Sequence, residues 1–60
     1  MKNKERKNIA KQIAVLEKKA QTVTDLAEKS RIEQEIMTIC SKVTSLEDMM
    51  IIDEMVMEML

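Results

Sequence analysis

LEDMMIIDEMVMEML, residues Leu46 to Leu60, is the stretch whose reading decides the architecture. Five of the seven methionines fall in it, with Ile51, Ile52, Val56 and a leucine at each end. Five acids (Glu47, Asp48, Asp53, Glu54, Glu58) are set among them, and no base. Wound as a helix at about 100° per residue, the stretch gathers Glu47, Glu54 and Glu58 on one narrow polar face, with Ile51 beside them. Most of the remaining circumference is apolar. It divides into two seams, Leu46, Met50, Met57 and Leu60 on one and Met49, Ile52, Val56 and Met59 on the other. A helix apolar over more than half its surface needs neighbours on two sides. A chain of 60 residues supplies few, so a homodimer or higher oligomer is expected.

Composition sets the fold class around that stretch. There is no Gly, no Pro and no aromatic residue, while Ala, Leu, Met, Glu, Lys, Gln and Arg favour helix. The expectation is an all-α, single small domain below the size at which a core is comfortably self-sufficient. With one Cys and no His, neither a disulfide framework nor a zinc cluster can supply the missing stability. A partner or a second copy is the remaining source.

Moving outward, Ile9, Ile13, Leu16, Ala20 and Val23 repeat at spacings of 4, 3, 4 and 3. This heptad seam predicts a first helix from about residue 4 to about residue 21, with Ala10 and Ala14 allowing close approach. Thr22 to Asp25 form the best boundary, because two threonines weaken the helix and Asp25 with Glu28 reads as a capping box. So short a link folds two helices into an antiparallel hairpin. Ile32, Ile36, Ile39, Val43 and Leu46 resume the period, predicting a second helix over about 26–43. Thr44 with Glu47, or Ser45 with Asp48, offers a second start signal. A break at 44–45 and a third helix over 46–60 is favoured, the alternative being one long helix from 26 to 60.

Charge is distributed unevenly. Lys2 to Lys19 hold seven bases and two acids, whereas five acids and no base follow from Glu47 onward. Lys2, Lys4, Arg6, Lys7 and Lys11 are therefore candidate contacts for an anion, although the aromatics and glycines that often accompany nucleic-acid arms are absent. Asp53 takes a seam position among Met50, Met57 and Leu60. There a carboxylate must reach water, find a base that fixes register, or face a partner. The methionines invite a copper(I) reading, but adaptable packing explains them without metal, and no cofactor is expected. Cys40 lies at the edge of the second helix's stripe with no His to activate it, which makes a small buried thiol the simpler reading.

No Gly-rich loop and no credible nucleophile–base pair is present, so catalysis is not expected. The basic N-terminus lacks a following secretory apolar core, and the apolar run Met49 to Ile52, which no other exceeds, is far too short to span a bilayer. An acidic polar face would be repelled by anionic lipid. A lone Cys suits a reducing compartment, so a cytoplasmic location is expected. Two heptad-patterned helices in so short a chain resemble, in architecture alone, small bacterial helical-hairpin regulators that dimerise into four-helix bundles. The expected function is a self-associating adaptor, regulator or inhibitor, of the kind bacteria and phages use to occupy a site on a larger protein. Its oligomer or docking surface is Met49, Met50, Ile52, Val56, Met57, Met59 and Leu60. The alternative is a binder of nucleic acid or anionic nucleotide through the basic N-terminal helix.

Overall fold

The computed structural model describes residues 1–60 and is all-helical. Helix α1 runs Asn3–Thr22, α2 Leu26–Ser41 and α3 Leu46–Met59. Local chemistry explains each boundary. At the end of α1, the Thr22 hydroxyl donates to the Lys19 carbonyl at 3.0 Å, and the β-branched Val23 turns extended, with φ −84° and ψ 131°. Asp25 then caps α2 by accepting from the Ala27 amide at 3.0 Å. Glu28 adds negative charge to the first turn, where the helix macrodipole favours it.

Helix α2 stops at Ser41, about two residues before the seam's period would end it. The Thr38 and Ser41 hydroxyls donate to the carbonyls of Gln34 and Thr38, and the Lys42 and Val43 amides close tight turns onto Ile39 and Cys40. Ser45 caps α3, accepting from the Asp48 amide at 3.4 Å. The heptad spacing that runs on through Val43 and Leu46 does not make one long helix. Three poor helix formers in a row, Val43, Thr44 and Ser45, with a serine ready to cap, outweigh an uninterrupted period.

Helix α1 lies between the other two and packs against both, while α2 and α3 barely touch. Its Ala10, Ile13 and Ala14 meet Ile52 and Val56 of α3 in the main buried cluster. Ala10 and Ile52 are both fully covered, the small side chain letting the larger one seat against the α1 backbone. Ile9, Ile36, Ile39, Cys40, Val43, Met49, Met55 and Met59 close over this cluster without being fully buried. Ile32 is buried on α2. Each large apolar side chain so buried contributes roughly 1.5–3 kcal/mol before entropy. The buried set is small. The chain exposes 4659 Å², where a folded monomer of 7.0 kDa would expose about 4,000 Å².

Candidate interaction surface on the third helix

The two seams of α3 have different fates. Ile52 and Val56 are buried against α1, and Met49 and Met59 pack beside them. The other seam faces solvent, with Leu46 77%, Met50 62%, Met57 75% and Leu60 52% exposed. One chain therefore covers one seam, and a single neighbour, α1, suffices for it. The four open side chains recur at spacings of 4, 7 and 3, with Asp53 filling the heptad position between Met50 and Met57. Met55, absent from both expected seams, joins the buried side.

Asp53 is exposed on this open face, and the ion pairs within the chain are made by another carboxylate. Asp48 is only 9% exposed. Its Oδ1 accepts from Arg6 Nε at 2.8 Å and lies 2.6 Å from Arg6 Nη2. Its Oδ2 is 3.8 Å from the N-terminal ammonium of Met1. Arg6 is steadied from the other side, donating through Nη1 to Asn3 Oδ1 at 3.1 Å. Within the chain, the pair between a basic residue of α1 and an acid of α3 is made by Asp48 and not by Asp53. Helical spacing carried the signal, since Asp48, Ile52, Met55 and Met59 fall on one face at steps of 4, 3 and 4. Asp48's possible role as a capping partner obscured it.

The same pair changes the reading of the basic N-terminus. Arg6 is committed to Asp48 and half-buried, so it is not a free anion contact. Lys2 precedes the helix as its cap residue. Lys4, Lys7 and Lys11 are exposed and fall on one side of α1, joined by Lys18. Among the methionines of α3, Met49, Met55 and Met59 lie against the core while Met50 and Met57 point to water. No group of three or more His, Cys, Asp or Glu side chains is placed to hold a metal ion.

Cys40 is partly buried. Burial pushes its thiol above the ordinary value, and the negative charges of Asp53 and Glu17 push it further the same way. A thiol so placed is a poor nucleophile at neutral pH. Along α1 and α2 lie two adjoining shallow hollows of about 390 and 380 Å³ that share Leu16 and Ile39. The one hydroxyl there, on Thr38, donates to the Gln34 carbonyl. Neither hollow pairs a nucleophile with a base.

No protein-family model matches the chain, and neither does any curated protein or solved structure. No helix is long and apolar enough to cross a membrane.

Proposed function

We propose that this chain is a non-enzymatic protein-interaction module, a small adaptor, regulator or inhibitor that occupies a site on a larger protein through α3. The observation that carries this reading is the open seam Leu46, Met50, Met57 and Leu60, left in water after the same helix has satisfied its other face against α1. Methionine suits such a surface because its unbranched thioether adapts to the shape of what it meets. A second copy of the chain is the competing occupant of the same face, which would make the protein a homo-oligomer. Paired substitutions test the assignment. Met50→Glu with Met57→Glu should leave the helical melt intact and abolish association, because both side chains already stand in solvent. Met49→Glu with Val56→Glu should unfold α3, because those positions face α1. Unchanged association in the first variant would remove α3 as the docking face.

A second reading rests on the alignment of Lys4, Lys7, Lys11 and Lys18 along one exposed side of α1. That strip would attract nucleic acid or an anionic nucleotide. Salt separates the two readings, since phosphate-led binding weakens steeply from low to moderate salt whereas apolar docking is little affected.

A further inference from the structure

The open face of α3 restricts what can sit on it, and the restriction comes from Asp53. Side chains at residues 46, 50, 53, 57 and 60 follow the 4-3-4-3 spacing of a helix that pairs with another helix. Four are large and apolar. The fifth, Asp53, is an exposed carboxylate at the midpoint of the row.

That central position disfavours pairing of α3 with the α3 of a second copy. If two α3 helices paired in parallel and in register, Asp53 would meet Asp53. If they paired antiparallel about the middle of the seam, Asp53 would again meet Asp53. Sliding the helices by a turn or more would separate the acids, but it would also uncover Leu46 or Leu60 and forfeit apolar burial. The flanks offer no relief, because Glu47, Glu54 and Glu58 line the neighbouring face and no base follows from Glu47 onward. Nor does the lysine strip of α1 complement the seam. Its one large apolar neighbour on that side is Val15, and Arg6 is already held by Asp48.

We propose that the open face of α3 receives an amphipathic helix of another protein, one that carries a lysine or arginine at the centre of its apolar stripe, opposite Asp53. The proposal rests on α3 being the docking face and adds the form and charge of the partner segment. The four apolar side chains supply the burial, and the carboxylate selects the base and sets register, as a single polar seam position does in paired helices.

Three helical peptides test this on the intact chain. Each carries leucine at four heptad positions and a terminal fluorophore, with lysine, leucine or glutamate at the central one. Fluorescence anisotropy at low salt should show the lysine peptide binding at least about tenfold tighter than the glutamate peptide. Asp53→Lys should invert that order, with an unchanged circular-dichroism melt showing that the fold is kept. Equal binding of the lysine and glutamate peptides would overturn the basic partner while leaving α3 as a docking face. Absence of binding by all three would overturn both. Light scattering that showed a wild-type dimer, dissociated by Asp53→Lys, would place a second copy on this face and overturn the proposal.

Discussion

Arg6 and Asp48, 42 positions apart in the chain, meet at 2.6 Å between the first turns of α1 and α3. The contact does two things at once. It neutralises a carboxylate that the packing of α3 has almost removed from water, and it fixes which turn of α3 lies beside which turn of α1. Asp48 also stands in the first turn of its helix, where the open amides and the macrodipole favour negative charge.

Breaking that pair on one side should cost more than replacing it. Arg6→Met or Asp48→Asn is expected to destabilise by about 1–3 kcal/mol, because a partly buried charge-assisted bond is lost and a polar group is left short of partners. Arg6→Met together with Asp48→Leu should recover much of the loss, since apolar side chains can fill the same space. Each kcal/mol moves the melting temperature of a domain this small by roughly 4–8 °C, which makes thermal circular dichroism adequate. Single variants that melt like the wild type would show that the pair carries no stability.

Ala10 and Ile52 make the tightest apolar seat, both being fully covered. Ile52→Ala should cost about 2–5 kcal/mol through the cavity left behind. Ala10→Leu should cost about 1–3 kcal/mol by forcing α3 off α1. A domain of this length has only a few kcal/mol in hand, so urea titration of Ile52→Ala should find it largely unfolded before denaturant is added.

Cys40 gives the expected pH dependence. Its folded-state thiol holds the proton more tightly than the ordinary value of 9.0, through burial first and then through Asp53 and Glu17. The sign follows directly. The contribution to stability is fully present below pH 9.0, and it is lost as pH rises through the raised folded value. At mildly alkaline pH, reaction with an aromatic disulfide reagent should be slower for the folded chain than for the chain in urea. Asp53→Asn should speed the reaction of the folded chain at the same pH by removing one of the charges that hold the thiolate back. Identical rates in the two proteins would mean that Asp53 does not act on the thiol.

Asp53→Leu should have the opposite consequence for solubility. It would complete an apolar heptad row from Leu46 to Leu60 and remove the acid that opposes two-fold pairing. The variant should self-associate more strongly than the wild type, as read by light scattering or sedimentation. Failure to gain association would show that the carboxylate is not what keeps copies apart on this face.

The helices were legible because their signals are local. Ile9, Ile13, Leu16 and Ile32, Ile36, Ile39 mark one face each by spacing alone, and Asp25 and Ser45 are capping residues standing directly before apolar runs. Division of α3 into two seams was legible for the same reason. Which seam α1 would cover was not, because that depends on how Ala10 and Ala14 admit Ile52, a long-range fit that periodicity does not encode. The choice between Asp48 and Asp53 was obscured likewise. Both are acids among apolar neighbours in one short helix, and only the approach of Arg6 from the far end of the chain distinguishes them.

Helix α1 carries both major helix–helix interfaces, and the better buried of the two is the one with α3, built on Ala10, Ile13, Ala14, Ile52 and Val56 and on the Arg6–Asp48 pair. On α2 only Ile32 is buried. Partial opening is then cheaper at α2 than at α3, and in native-state hydrogen exchange the amides of α2 would lose protection before those of α1. Each such opening would release Ile32 along with Leu26 and Met37, which already stand in solvent. A helix that is half committed at rest would, for that interval, offer apolar surface on both sides.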